Sequence, residues 1–474
     1  MEKIFQSKLK TYLYYSILVF FLIKSIFFLV SSPLKGYANN FDANRYTRCY
    51  AVFPADNSLI EKAHSKPIRE YEYKGFFDNP LIEYDFNSCF VSSELIFQFP
   101  TFLYSTILNE KFQLPSIGIV RILSIFIFIF LFHFKNRLTT FQKVQILILS
   151  FLISDLAVLL YFNTFYAEPS GIIFLTFLFI ILSQLQISYN NKLNFFLFFF
   201  AILLFFAKKQ YSPLAIVFVG VSFFYFLKRN RAKRKTQFAK YVTILSITLV
   251  SSVLIYNKSH YDDSFIKEIN KTNTILGFIF KYSKPTQIQE NFQLDIQCEK
   301  YFGKNWFEGE FWNGHPCPEI MDISYSKIIL YLMKYPNLFF DLTHQALLET
   351  KGWINFEYPQ TEEGRLEDRI FTLNHQIIEL QSQYFKYLFY IPILIFLILL
   401  TPNVRKIFPV KQYLITIVLL YLSFYATIFG DGTFELTKHL FVFYFIFLYF
   451  YFSFSLQILL ILLRETKFQF RKPS

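Results

Sequence analysis

Long unbroken apolar runs are the feature that most constrains how this chain of 474 residues can fold. Several runs approach about 20 residues, enough for an α-helix rising about 1.5 Å per residue to cross a hydrocarbon core of about 30 Å. Lipid offers no hydrogen-bond partners, so these runs must form helices that satisfy their own backbone groups. The alternation typical of membrane barrel strands is absent. The sequence therefore predicts an all-α polytopic membrane protein.

We expect about ten transmembrane helices with two large extracytoplasmic loops, residues 32–113 and 257–383. The predicted spans are residues 12–30, 114–134, 144–162, 170–185, 194–207, 211–227, 241–256, 384–400, 413–429 and 440–463. This layout predicts an N-terminal transmembrane module (1–256), the second loop region (257–383) and C-terminal transmembrane helices (384–474). In the second loop, residues 326–349 place apolar side chains at helical spacing, which predicts an amphipathic helix or helix pair.

The distribution of basic residues predicts which side of each span faces the cytoplasm. The six segments on one side hold 21 Lys and Arg against two acids, Glu2 and Glu465, whereas the first large loop holds 8 basic and 10 acidic residues. We expect both termini to be cytoplasmic by the positive-inside rule, and we expect the protein to lie in the plasma (inner) membrane. The formal net charge of +13 is explained by these loops touching anionic lipid, without a nucleic-acid partner.

All four cysteines lie in the two large loops. Their position fits an oxidising compartment and predicts one disulfide within each loop, Cys49–Cys89 and Cys298–Cys317. A metal site built from Cys298, His315 and Cys317 is the alternative, although no four-ligand spacing supports it. The sequence supports no cofactor, and a divalent metal is left open.

Charged residues at membrane depth or at helix tips are costly, and this makes them candidate site residues. Asp42 and Arg45 lie in a polar run, residues 39–45, just beyond the first span. A carboxylate there could take a proton from an acceptor hydroxyl, a role worth roughly 10²–10⁴ in rate; a helix cap or a loop ion pair is the alternative. Ser92-Ser93-Glu94 is a second candidate, which could equally cap the next helix, with Ser as cap and Glu in the first turn.

The third candidate is Lys208-Lys209-Gln210, which follows the short predicted span 194–207. A helix of that length reaches only about 21 Å, so it should leave the two lysines below the outer surface. Cations facing a cavity suit a phosphate anion, whereas the alternative is that they extend toward water.

The fourth candidate is the turn formed by residues 430–439. Asp431 can face the same cavity, while Lys438 and His439 are predicted to start the last helix. Cations at a helix N-terminus oppose the helix dipole, so their placement indicates an anionic partner. A solvated turn is the alternative.

The arrangement of spans and loops resembles the GT-C superfamily of glycosyltransferases. More locally, residues 40–46, 163–168 and 430–432 with 438–441 are similar to bacterial hexose transferases of surface-glycan assembly. The resemblance implies a GT-C-like fold and transfer of a sugar from a polyprenyl-phosphate carrier on the extracytoplasmic side. It also implies that Asp42 is the general base. The paired acids common in that loop elsewhere in the superfamily are missing, and Glu94 is the candidate for the second one.

We therefore expect an inverting glycosyltransferase that moves a sugar from a polyprenyl-phosphate-linked donor to a glycan or lipid acceptor. Lys208, Lys209 and Lys438 would hold the donor phosphate, and Glu168 and Asp431 would bind hydroxyl groups. The predicted substrate-binding residues are Arg45, Glu94, Glu168, Lys208, Lys209, Gln210, Asp431, Lys438 and His439.

Two other function classes have similar hydropathy. A flippase or transporter of lipid-linked sugars is expected to show repeats, and polar residues along its spans. In this sequence the polar residues instead cluster at the tips of the spans. A glycan polymerase or ligase would rely on Arg and His in the second loop, where Arg365 and Arg369 lie.

Overall fold

The computed structural model describes residues 2–38, 46–47, 49–50, 52–55, 66–73, 92–229, 263–308, 311, 314–350, 352–354, 359–364, 366, 387–402 and 409–469. Within these residues the chain is mostly helical, as the apolar runs predict. The helices are α1 (Glu2–Val30), α2 (Leu95–Leu108), α3 (Leu114–Lys135), α4 (Thr140–Ile153), α5 (Leu156–Phe162), α6 (Glu168–Ile187), α7 (Asn191–Ala207), α8 (Ser212–Arg229), α9 (Asp263–Thr274), α10 (Pro285–Phe292), α11 (Tyr325–Lys334), α12 (Pro336–Glu349), α13 (Tyr387–Leu399), α14 (Val410–Asp431), α15 (Leu436–His439) and α16 (Phe441–Gln469).

The described part of the chain holds six helices long and apolar enough to cross a membrane, within α1, α3, α6, α8, α14 and α16. A seventh span is obtained if α4 and α5 are taken together, although the two are bent by 65°. This bend corrects the prediction of a continuous helix over 144–162: Asp155 leaves the helix and caps α5 by accepting the Ala157 N–H at 3.0 Å. The shorter helices α2, α7 and α13 are also apolar. The predicted span 241–256 lies outside the described residues, and the count of ten stays a prediction.

Helix α6 is the centre of the bundle. Residues Glu168 to Leu185 are all buried, and α3, α4, α7, α14 and α16 pack around the helix. Aromatic contacts hold these neighbours together: the ring centroids of Phe177 and Phe128 (α3) lie 4.2 Å apart, and those of Phe179 and Tyr449 (α16) lie 4.5 Å apart. Such pairs add about 0.5–1.5 kcal/mol beyond the apolar area that they bury. The first turn of α6 is thereby held at one fixed position.

The first large loop contains elements that the all-α prediction missed. Three short strands, β1 (Val52–Pro54), β2 (Glu70–Tyr73) and β3 (Phe112–Gln113), form an antiparallel sheet in the order β1-β2-β3. Helix α2 follows Glu94, with part of its apolar surface, including Ile107, exposed. The region predicted to be one polar loop therefore includes an apolar helix beside the membrane spans.

The second large loop is folded into short helices. Helix α9 continues into a π-helical segment, Ile275–Phe280, which is largely buried. The helix pair predicted over residues 326–349 is confirmed as α11 and α12. Cys298 and Cys317 form the predicted disulfide, with their Cα atoms 5.6 Å apart, and this bond excludes them as metal ligands. Cys49 is also disulfide-bonded, while its predicted partner Cys89 lies outside the described residues.

Candidate functional site

One end of the membrane helices brings together charged residues from three distant segments. Glu168 lies in the first turn of α6, with only 3% of its side chain exposed. The Lys208 ammonium nitrogen, which follows the end of α7, lies 2.9 Å from Glu168 Oε1. Because a buried carboxylate is stable only when it is paired, this ion pair fixes the end of α7 against the start of α6.

The segment after Lys208 keeps this end compact. Lys209–Tyr211 forms a single 3₁₀ turn, and the Tyr211 ring packs directly on α6 at Gly171. A Cβ at Gly171 would come within 2.6 Å of the ring, so this position requires glycine. The Lys209 side chain is exposed at the same turn.

The third segment is the turn after α14. This helix ends at Asp431, and Gly432 follows with φ +67°. A Cβ at Gly432 would lie 2.5 Å from the Asn273 carbonyl oxygen, so the turn packs closely on α9. Glu435 also has a left-handed backbone, with φ +48°. This geometry reverses the chain and directs Asp431 and Glu435 back toward α15.

His439 lies at the centre of the cluster. Its Nδ1 atom is 3.1 Å from Lys208 Nζ, 3.3 Å from Gln210 Nε2 and 3.2 Å from Asp431 Oδ2. Its Nε2 atom lies 4.0 Å from Glu435 Oε2. One imidazole therefore bridges the ends of α7 and α14, and its protonation state decides which neighbour it hydrogen-bonds.

Lys438 completes the cluster on its other side. Its Nζ atom lies 3.0 Å from Glu435 Oε2 and 5.0 Å from the centroid of the Tyr166 ring. The prediction that Lys438 and His439 start the last helix is wrong, since both lie in the last turn of the one-turn helix α15. Cations are favourable at a helix C-terminus, so the dipole argument for an anionic partner no longer applies.

The predicted site residue Glu94 is buried beside this cluster. Its carboxylate accepts hydrogen bonds from both Nε and an Nη of Arg121 and from the Ser170 N–H at 3.1 Å. Glu94 occupies the cap position of α2 without capping it through its side chain, but its backbone N–H donates to Ser92 Oγ at 3.1 Å, so Ser92 caps the turn that leads into α2, as the Ser-cap alternative predicts. The Glu94 side chain instead joins α3 to the start of α6.

Arg121, which the sequence reasoning missed, also holds the segment between α5 and α6. Its guanidinium donates to the carbonyls of Phe162 and Thr164. In the same segment, Asn163 Nδ2 donates to the carbonyls of Leu29 (3.0 Å) and Lys35 (2.7 Å). The end of α1 is thereby tied to the loop that precedes Glu168. A lone arginine in an otherwise apolar span is the sequence signal that could have identified Arg121.

Asp42 and Arg45 lie outside the described residues, but the positions on either side of their polar run are described. Ala38 accepts a hydrogen bond from the Tyr166 hydroxyl at 2.7 Å, and Tyr166 is the ring that Lys438 contacts. Tyr46 is 2% exposed and lies close enough to Arg121 to interact electrostatically. The chain therefore enters and leaves the polar run beside the charged cluster.

The charges of the cluster are nearly balanced. Three carboxylates (Glu168, Asp431 and Glu435) face two ammonium groups (Lys208 and Lys438) and His439. In the part of the chain that the structure describes, no group of three or more His, Cys, Asp and Glu residues could hold a metal ion. The side chains of the cluster can bind polar groups and move a proton.

A cavity of about 820 Å³ lies elsewhere, between the opposite ends of α6, α8 and α14. It is lined by Phe141, Gln142, Ser183, Leu185, Gln186, Ile187, Tyr189, Tyr225, Pro409, Val410, Lys411, Gln412 and Leu414. None of the predicted site residues that the structure describes contributes to it.

Comparison with known proteins identifies a family. The family model described as the YfdI N-terminal transmembrane domain matches residues 2–472. No curated protein matches the chain, and no solved structure does.

Proposed function

Since the chain belongs to the YfdI N-terminal transmembrane domain family, we propose that this membrane domain is an inverting glycosyltransferase. It takes a sugar from a polyprenyl-phosphate-linked donor and transfers it to a glycan or lipid acceptor on the extracytoplasmic face. The observation that carries the proposal is the convergence of Glu168, Lys208, Asp431 and His439 at one end of the spans. Ionisable groups held at membrane depth are costly, and they typically mark substrate sites.

Transfer with inversion requires a base for the acceptor. In the proposal, the Asp42 carboxylate removes the proton of the acceptor hydroxyl as that oxygen attacks the anomeric carbon. The bond from that carbon to the phosphate oxygen breaks, and polyprenyl phosphate leaves with the bonding electrons. Arg45 keeps Asp42 ionised by favouring its charged form. Asp42 lies four residues from both Ala38 and Tyr46, the two positions held beside the cluster.

The phosphate gains negative charge as it leaves, so it needs hydrogen-bond donors placed in advance. An ammonium group has three donors, and the Lys208 contacts with Glu168 and His439 use two of them. In the proposal, the third N–H of Lys208 and the ammonium group of the exposed Lys209 bind the donor phosphate. Lys438 makes an ion pair with Glu435. In the proposal, this pair fixes the turn after α14, and the positive charge of Lys438 supports phosphate binding.

The remaining groups suit the sugar and acceptor hydroxyls. Glu168 and Asp431 accept hydrogen bonds, while Gln210 and His439 both donate and accept them. Glu94 is already held by Arg121 and the Ser170 N–H, so in this proposal it positions the first turn of α6 rather than touching substrate.

Transfer of labelled sugar from a polyprenyl-phosphate donor, measured in membranes beside donor binding, tests the proposal. Asp42→Asn keeps the shape of the side chain and removes the base. We expect transfer to fall by about two orders of magnitude, as for other lost general bases, with donor binding unchanged. Lys209→Ala should instead weaken donor binding. Near-complete transfer by a correctly folded Asp42→Asn variant would refute the assignment and move the base to Asp431 or Glu168.

A flippase of lipid-linked sugars is the second candidate, because the 820 Å³ cavity lies at the opposite ends of α6, α8 and α14. Such a protein would expose a labelled lipid-linked sugar to the outer face of sealed vesicles without an acceptor. The glycosyltransferase transfers the label only when the acceptor is added.

A further inference from the structure

The cavity between the ends of α6, α8 and α14 is far from the charged cluster. Gln186, which lines it, is 18 residues after Glu168 along α6, a distance of about 27 Å at about 1.5 Å per residue. A hydrocarbon core is about 30 Å thick. The cavity therefore lies at the opposite face of the membrane from the cluster, and its volume of about 820 Å³ is within the range of ligand sites, about 300–1,000 Å³.

Amide side chains supply most of the polar surface of this cavity. Gln142 and Gln412 are already engaged, since Gln142 Nε2 donates to Gln184 Oε1 and Gln412 Nε2 donates to the Tyr449 hydroxyl, both at 2.8 Å. The Nε2 atom of Gln186 is buried and has no hydrogen-bond partner among the described residues. Since this atom is out of reach of solvent, Gln186 donates to a ligand only after its side chain rotates toward the cavity, and the cost of leaving a buried amide donor unpaired favours that rotation.

Aromatic, basic and apolar side chains also line the cavity. Tyr189, Tyr225 and Phe141 offer aromatic surfaces, and Lys411 supplies a cation; none of the described residues that line the cavity is acidic. The apolar side chains include Ile187, which is 56% exposed and so lies at the outer surface of the bundle. Amides and rings suit sugar hydroxyls and sugar faces, a lysine suits a phosphate, and an exposed apolar side chain suits a lipid chain.

We propose that this cavity binds the head group of a glycosylated phospholipid, a sugar phosphate on a long apolar chain, at the membrane face opposite to the charged cluster. The ligand chemistry is a sugar phosphate, and the exposed apolar side chain of Ile187 assigns it to a lipid rather than to a free sugar phosphate. This second site is independent of transfer at the cluster, because it needs neither Asp42 nor an acceptor.

Photo-crosslinking of the full chain in lipid nanodiscs tests this site. The probe is polyprenyl-phosphate glucose with a diazirine on its prenyl chain, supplied without an acceptor. Labelled peptides should include residues 183–189 and 409–414, and unlabelled polyprenyl-phosphate glucose should compete. Glucose 1-phosphate should not compete at the same concentration. Equal competition by glucose 1-phosphate, or labels confined to peptides of the charged cluster, would overturn the proposal.

Two variants test whether labelling depends on the side chains that line the cavity. Gln186→Leu removes one hydrogen bond, worth about 0.5–1.5 kcal/mol, and should reduce labelling about three- to tenfold. Leu414→Trp fills the cavity and should reduce it as well. Gln457→Leu is the matched control, since Gln457 is a partly buried glutamine in α16 that does not line the cavity. Labelling of both cavity variants at the level of this control would contradict the assignment.

Discussion

Arg121 lies fully buried within the span α3, and its guanidinium donates to the Glu94 carboxylate and to backbone carbonyls of the segment before α6. Taking two such charges out of water costs several kcal/mol each, and their pairing only offsets that cost. Removing one partner alone leaves a buried charge without compensation. The Glu94–Arg121 pair is therefore expected to be more important for the stability of this end of the bundle than any exposed ion pair.

Arg121→Met should lower the free energy of unfolding by about 3–5 kcal/mol, because it leaves the Glu94 carboxylate buried and unpaired. The double variant Arg121→Met/Glu94→Gln removes both charges and should recover part of this loss. Thermal unfolding in detergent measures both. As a control, Lys111→Met removes an exposed ion pair with Glu70 and should leave the stability close to that of wild type. A double variant no more stable than Arg121→Met would contradict this explanation.

The sequence indicated most of the charged residues of the cluster but not their partners. Glu168, Lys208, Gln210, Asp431, Lys438 and His439 were predicted from their positions at helix tips, and they lie together. Lys208 and His439 are separated by 231 residues, so their contact follows from the packing of whole helices and has no local signal. Arg121 lies in the interior of α3, and its pairing with Glu94 follows from the packing of separate helices, which has no local signal in the sequence.

At the scale of elements, hydropathy predicted which segments form membrane helices but not how they bend. The run 144–162 carries one charged residue, Asp155, whose short side chain favours a cap over a helix interior, and the helix breaks there. The strands of the small sheet are two to four residues long, too short to show a period of two. In contrast, α11 and α12 were predictable because their apolar residues recur at helical spacing.

His315 gives the disulfide-closed segment a dependence on pH. Its Nδ1 accepts the Cys317 N–H at 3.0 Å, and its Nε2 lies 2.8 Å from Thr272 Oγ1. Burial lowers the pKa of the His315 imidazole below its ordinary value of about 6.5, so the folded protein holds the neutral form. The unfolded chain then binds the proton more readily, and stability should be constant above about pH 7.5 and fall as the pH drops through about 6.5.

Hydrogen exchange of the peptide spanning Cys298–Cys317 between pH 8 and 5.5, corrected for the intrinsic exchange rate, measures this effect. His315→Gln should remove most of the slope, and His344→Gln on α12 is the control that should keep it. A slope that is unchanged in His315→Gln would assign the pH dependence to other groups.

At the scale of the whole molecule, the chain is a multi-pass membrane domain, with the charged cluster and the amide-lined cavity at opposite ends of α6. Which end faces the cytoplasm stays a prediction from basic residues, as do the termini and the plasma membrane location. The proposed function of the cluster depends on this orientation, because the donor lipid must reach the cluster from the outer leaflet.

Cysteine-reactivity mapping in intact cells tests the orientation. A cysteine placed next to Arg234, in the basic segment 228–235, should react only with reagents that enter the cytoplasm. The predicted reason is the positive-inside rule, and a second cysteine next to Glu299 in the second large loop should react from outside. Reaction of the first position from outside would reverse the orientation and contradict the proposal that the cluster acts on the extracytoplasmic face.

The cluster around His439 is proposed to bind the donor during sugar transfer, and the proposed function depends most on this binding. The measurement is the initial rate of transfer of labelled sugar from a polyprenyl-phosphate donor in proteoliposomes, for His439→Gln and for the control His344→Gln. Hydrogen bonds to charged groups are worth about 1.5–3 kcal/mol each, so the account predicts that His439→Gln is about 10- to 100-fold slower, with the control and both unfolding temperatures close to wild type. Transfer by a stable His439→Gln variant at the rate of the control would contradict it.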